Sequence, residues 1–461
     1  MMLNEMFVAL DLEMTTPRPE HQEIIEVAAV KFKGDRVVDT FATLVNPKQP
    51  IPYNIEVLTG IKQAVVDRAP TLPEVAGQLV AFVKDHPLVA HTISSDIGCL
   101  QRKGIHLSNP QIDTFELASI LLPQLPGYGL AAVAEHFGIP ITAQHRAAGD
   151  ALMTGKVFRA LVRKALELDL PIVQEINRLT AKLDWSLRSF FREIEAEKSR
   201  AAFSGSSIRA QLAAKGGLEE AAFDFMYLGR PRREPLTPRE PRKTIDIGQI
   251  AGALEPGGAL ARHFPGYEHR PQQTEMARAV GTALNERGHL VVEAGTGTGK
   301  SLAYLLPAAH FATANSERIV ISTNTINLQD QLFGKDIPDV QAATGLPFKA
   351  ALVKGRANYL CQLRFAGMRR HQELTPDEVF TLVKVLVWLP TTRTGDIAEL
   401  NLVDGQRGVW NKLYAPAESC LGNQCPYFQK GSCFVYRARE EAESAHIVVV
   451  NHSLVLSDMV V

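Results

Sequence analysis

The chain has 461 residues, of which 46% are hydrophobic and 21% charged, with a formal net charge of −1. Such a balance supplies apolar material for about three globular domains and excludes a global basic field; any surface for nucleic acid has to be local. The opening MMLNEMFVALDLE has an acid inside its short apolar run and no basic start, so it is not expected to be a signal peptide.

No uninterrupted apolar segment reaches the ~20 residues of a membrane span. Residues 379–390 are broken by Lys384, and 447–461 by Asn451, His452 and Asp458. A cytoplasmic protein with no membrane partner is expected. Its five cysteines stand at 99, 361, 420, 425 and 433. Four of them within one stretch of a cytosolic chain argue for a metal site rather than disulfides.

In chain order, Phe7–Leu10 is an apolar run that predicts a buried strand ending on Asp11-Leu12-Glu13. Alternation along a strand points Asp11 and Glu13 to the same side, where two carboxylates repel unless a cation lies between them. A divalent metal such as Mg²⁺ or Mn²⁺ answers that need. Residues 24–32 and 37–45 alternate as neighbouring antiparallel strands, and 73–85 read as a helix. The apolar 87–90 predicts another strand, ending at His91, with Asp96 five residues on at the start of a helical stretch. Residues 113–122 and 130–137 read as helices. His145-Arg-Ala-Ala-Gly-Asp150 then leads into a long apolar-periodic helix over 151–166, so His145 and Asp150 can face one cleft. Taken singly, Asp96 reads as a helix N-terminal acid, His145 as a surface histidine and Asp150 as a solvated acid. The joint pattern carries the weight.

That pattern, D-x-E on a first strand, an acid after a later strand and H-x-x-x-x-D on a last helix, resembles the DEDDh 3′–5′ exonucleases. The resemblance covers about the first 165 residues, including Leu58-Thr59-Gly60-Ile61. It implies an RNase H-like fold, a mixed sheet with flanking helices. It also implies that Asp11, Glu13, Asp96 and Asp150 hold two Mg²⁺ or Mn²⁺ ions and that His145 is the general base. His91-Thr-Ile-Ser-Ser-Asp96 and Met14-Thr-Thr-Pro17 depart from the family's usual flanking residues.

Residues 166–203 predict a helical connector and 204–260 a Pro/Arg-rich linker, whose Gly229–Lys243 reads GRPRREPLTPREPRK. A solvated tether and a basic arm along a phosphate backbone both fit it. Residues 290–293 predict a strand running into Ala294-Gly295-Thr296-Gly297-Thr298-Gly299-Lys300-Ser301, with a helix from Leu302. Glycines there turn backbone amides toward a triphosphate, Lys300 reaches its phosphates and Ser301 holds Mg²⁺; ATP is the expected ligand. Arg270 and Gln273 upstream, and Thr323–Gln331 after a strand at 319–322, resemble the Q motif and motif Ia of superfamily 2 helicases. By that resemblance Gln273 contacts the base, and 323–329 face the DNA strand.

Cys361, Cys420, Cys425 and Cys433 contain no C-x₂-C knuckle of a zinc ribbon. Their one-plus-three arrangement looks like the [4Fe–4S] site of XPD/DinG-like helicases. Zinc and free thiols remain as alternatives, and Cys99 reads as a core residue. The whole resembles the DinG-type fusion of an exonuclease with a helicase core. The expected fold class is therefore α/β. An exonuclease domain (1–165) precedes a partial RecA-like P-loop domain (261–461) that carries a cysteine-bearing insertion (355–435). No D-E-A-H box occurs, so the chain is expected to be truncated before it, to bind ATP and not to drive unwinding. The expected activity is 3′–5′ hydrolysis of single-stranded DNA, RNA being open. The alternative is a DNA-binding, ATP-dependent helicase-type protein with a degenerate nuclease site.

Overall fold

The computed structural model describes residues 6–141, 145–204 and 233–459. The start of the Pro/Arg-rich stretch lies outside them. Two compact units emerge, and the chain passes between them repeatedly. The first takes the described residues before 205 together with Phe365–Arg393 and Ala398–Asn411; the second takes those from 233 to Arg364, Thr394–Ile397 and from Lys412 onward. These boundaries cut across the linear division at 165, 203 and 260. The reason is packing: much of the expected insertion buries its apolar face in the first unit.

The first unit is built on a mixed sheet ordered β3-β2-β1-β4-β5. Strands β1 (Met6–Met14), β2 (Ile24–Lys33) and β3 (Arg36–Leu44) are antiparallel neighbours, whereas β4 (Leu88–Ala90) and β5 (Gln111–Asp113) run parallel to β1. Phe7–Leu10 is buried because β1 is central and covered on both faces. The edge strand β3 alternates weakly and is largely exposed, with Arg36 and Asp39 on it. Below the sheet, helix Leu72–Val83 starts on a capping box of Thr71 and Glu74 and buries Val75, Leu79 and Val83, one face at helical spacing.

On the other side, helix Ala147–Glu167 lies against β1 and β2. Its Gly155 permits that approach: a Cβ there would stand 2.1 Å from the Phe32 ring. Phe32 stacks on Phe7, which meets Phe158 edge-on, so one aromatic column joins strand to helix. This contact fixes the height at which Asp150, two turns earlier, faces the end of β1. Helix Pro376–Trp388 packs on helices Thr114–Leu121 and Leu170–Leu179 of the same unit. Phe380 meets Trp185, and Asn401 ties its backbone and amide to the carbonyls of Pro123, Leu125 and Pro126.

The second unit has a parallel sheet ordered β6-β8-β7, from β6 (Ile319–Thr323), β7 (Ala350–Leu352) and β8 (Ile447–Asn451). Helix Lys300–Asn315 follows the glycine loop and packs on helix Pro271–Glu286. The strand expected over 290–293 is absent. Those residues have no ladder partner among the described residues, and Val291 is 97% exposed. An apolar run predicts a strand only where a neighbouring strand accepts its hydrogen bonds.

Candidate active site

Asp11 and Glu13 stand at the end of β1, as alternation requires. Asp96 lies in the first turn of helix Ile93–Arg102, whose entry is set by Asp113: its carboxylate accepts the Thr92 and Ile93 amides at 3.1 and 3.0 Å. Asp96 is itself buried, and it accepts the backbone amide of Leu12, the residue between Asp11 and Glu13. That bond ties the third acid directly to the first motif. Asp150 sits in the first turn of helix Ala147–Glu167 and accepts the His145 amide at 3.0 Å. His145 precedes the helix with a left-handed backbone, φ 59°. Ligand atoms of Glu13, His145 and Asp150 all lie within 4.8 Å of one another.

Electrostatics joins the other two acids to this group. Burial, then the charges of Asp96, Asp150, Glu13 and Glu26, hold the Asp11 carboxyl well above the usual carboxylate range. Burial pushes Glu13 up to about 7, with Asp150 and Glu26 adding to the rise and Arg146 opposing it. Asp96 and Asp150 are raised by burial as well. Buried like charges of this kind are stable together only when protonated or when a cation compensates them. Oxygen donors at a strand end suit Mg²⁺ or Mn²⁺. All five residues singled out from the sequence are thus gathered at one place. His91 is not among the donors; its ring meets the Thr114 hydroxyl at 2.9 Å.

Glu26 and Arg146 went unread in the sequence. Glu26 is 4% exposed and lies opposite Glu13 in the antiparallel register. The available signal was an acid in the otherwise apolar run IIEVAAV, which has to find a cation.

In the second unit, Gly297 and Gly299 take positive φ (84° and 76°), which shapes the loop before Lys300. Lys300 Nζ donates to the carbonyls of Ala294 and Gly295 at 2.9 and 2.8 Å, and Thr298 Oγ1 to Gly295 at 3.0 Å. Arg270 donates to the Gly297 carbonyl at 2.6 Å and Gln273 to that of Gly299 at 2.9 Å. Both motif residues therefore hold the loop's backbone. The hydroxyl of Ser301 bonds the carboxyl of Asp336. Of the stretch expected to face DNA, residues 324–328 are exposed, whereas Thr323 and Gln329 are buried in the unit. The face of a helix, invisible in a short motif, decides this.

Cys361, Cys420, Cys425 and Cys433 line one small cavity of the second unit. Backbone amides of Leu363 and Arg364 point at the Cys361 sulfur, those of Val435 and Tyr436 at Cys433, and burial raises both thiols. Arg356 bonds Cys420. Among the described residues no three of these sulfurs lie within 4.8 Å of one another. A tetrahedral zinc would hold its thiolates about 3.8 Å apart. Cys99 is buried in the first unit's core.

Residues 8–158 match the family described as Exonuclease (RNase_T), and 271–358 match the DEAD/DEAH box helicase family. The chain thus carries an exonuclease domain joined to a helicase domain. It is similar over nearly its full length to proteins named 3′-5′ exonuclease DinG. The one from Bacillus subtilis (strain 168) is 32% identical over 469 residues, 99% of this chain and 48% of the relative. The one from Staphylococcus aureus (strain USA300) is 27% identical over 470 residues, 98% and 48%. The ATP-dependent DNA helicase YoaA of Haemophilus influenzae is 42% identical over 214 residues, 46% of this chain and 32% of that protein. The chain spans about half the length of the curated DinG relatives it matches. Among solved structures, exonuclease X in complex with 5′ overhanging duplex DNA aligns at 23% identity over 34% of this chain and 91% of its own, TM-score 0.30. No helix among the described residues is long and apolar enough to cross a membrane.

Proposed function

We propose that the first unit is a metal-dependent 3′–5′ exonuclease that hydrolyses phosphodiester bonds of single-stranded DNA. The observation that carries this reading is the meeting of Asp11, Glu13, Asp96 and Asp150 with His145 at one strand end. The four carboxylates would hold Mg²⁺ or Mn²⁺, which when bound would activate a water and stabilise the leaving oxyanion. His145, tied through its own amide to Asp150, takes the proton from the attacking water; imidazole suits that task near neutral pH. The polarity rests on the name of the relatives, 3′-5′ exonuclease DinG. The gathering of all five residues favours a working site over a degenerate one.

In the second unit, Ala294–Ser301 cradle the phosphates of ATP, Arg270 and Gln273 brace that cradle, and Gln273 reads the base. The four cysteines of the cavity hold a [4Fe–4S] cluster, and their reduced state suits a cytoplasmic setting. The test of the main reading is 5′-labelled single-stranded DNA incubated with the full chain and Mn²⁺. A ladder shortened from the 3′ end, abolished by EDTA and by Asp11→Ala, is expected. Undiminished digestion by the Asp11→Ala protein overturns the site assignment.

A further inference from the structure

Glu13 and Glu26 are side by side on β1 and β2, yet only one of them is left open. Both oxygens of Glu26 are engaged. Arg146 donates Nη2 to Oε1 at 2.7 Å and Nε to Oε2 at 3.1 Å, and the backbone amide of Ala147 donates to Oε2 at 2.9 Å. One buried carboxylate therefore grips two consecutive residues, the second of which is the first of helix Ala147–Glu167. The residue just before them is His145. Its left-handed backbone and its amide bond to Asp150 close the turn from the other side. A charged fork of this kind is directional as well as strong, and a lysine cannot reproduce its two parallel bonds.

We propose that Glu26 and Arg146 are the positioning pair of the exonuclease site: their fork fixes where the His145 ring stands relative to Glu13 and Asp150. The inference rests on the exonuclease reading above and names residues that reading does not use. Neither member touches the reacting atoms; both act through His145. Arg146 also occupies Glu26, which keeps a fifth acid at this strand end out of the ligand set.

The consequence is a particular pattern of rates. A displacement of about 1 Å in a reacting group costs about 10²-fold in rate. Arg146→Ala in the full chain should therefore lower kcat by about 10²-fold with little change in KM. Mn²⁺ binding, read directly by calorimetry without DNA, should stay within a few-fold, because all four ligands remain. In a His145→Ala background the same substitution should do almost nothing further, since the group it positions is gone. Arg146→Lys keeps the charge without the fork and should recover only part of the rate; it also serves if Arg146→Ala does not fold. An equal loss in both backgrounds, a collapse of Mn²⁺ binding, or an unchanged kcat each overturns the proposal. Absence of EDTA-sensitive shortening by the unaltered protein is a different result and overturns the exonuclease reading instead.

Discussion

Replacing Glu13 by glutamine should stabilise the metal-free protein, and only at high pH. In the metal-free protein burial and its acidic neighbours move Glu13 from 4.5 to about 7. The folded chain therefore keeps a proton that the unfolded chain gives up. Stability from this group is full below pH 4.5, declines as pH rises through that window and is gone once pH passes about 7. A rise of this size corresponds to about 3 kcal/mol. Glu13 is half-buried, so solvent screening reduces that to about 1–2 kcal/mol. For a domain of this size that is about 2–8 °C in Tm. Thermal unfolding in EDTA at about pH 8 should then place Glu13→Gln above the unaltered protein, and at about pH 5 the two should coincide. Saturating Mn²⁺ should reverse the order, because glutamine removes a ligand. A glutamine variant no more stable than the parent in EDTA at the higher pH refutes the claim that burial and the neighbouring acids penalise an ionised Glu13 without metal.

His145→Ala should slow single-turnover cleavage by about 10²–10⁴-fold while direct Mn²⁺ titration still shows binding, as expected for loss of a general base; loss of binding would make His145 a ligand. Protein purified without oxygen should be brown and contain about four irons per chain; stoichiometric zinc without iron would contradict the cluster. Lys384, 2% exposed, is pushed down to about 8 by burial; it sits over the Tyr128 ring and donates to the Asn401 carbonyl at 3.4 Å. Lys384→Met should raise denaturant-measured stability near neutral pH by about 1–3 kcal/mol, because it removes a buried charge and keeps the stem's packing; a destabilised variant would mean that the ammonium is better compensated than its surroundings indicate.

What the sequence made legible was local chemistry with a period. Phe7–Leu10 running into Asp11 and Glu13, the helix carrying Asp150, and the glycine loop at 295–299 each encode their structure within a dozen residues, and each formed where expected. Glu26 was hidden because a single acid inside an apolar strand has no period; its partner lies 120 residues away. The segment at 290–293 failed for the converse reason. Its apolar run states a preference for a strand, and pairing depends on residues elsewhere. The destination of Pro376–Trp388 was invisible too: an apolar helix announces that it will be buried, not against what. Its burial beside Trp185 and Tyr128 places most residues between Cys361 and Cys420 in the first unit.

That interleaving governs how the protein is made. A ribosome delivers the exonuclease strands early, but the helix that covers Thr114–Leu121 and Leu170–Leu179 arrives only after residue 376, and the last piece of the unit ends at Asn411. At about 5–20 residues per second, the nascent exonuclease waits roughly 10–40 s for its final part. Through that interval the apolar seat beside Trp185 lacks the helix that covers it. A gene cut at the apparent boundary near residue 165 would bare the Thr114–Leu121 side of that seat and would omit Leu170–Leu179 and Trp185 altogether.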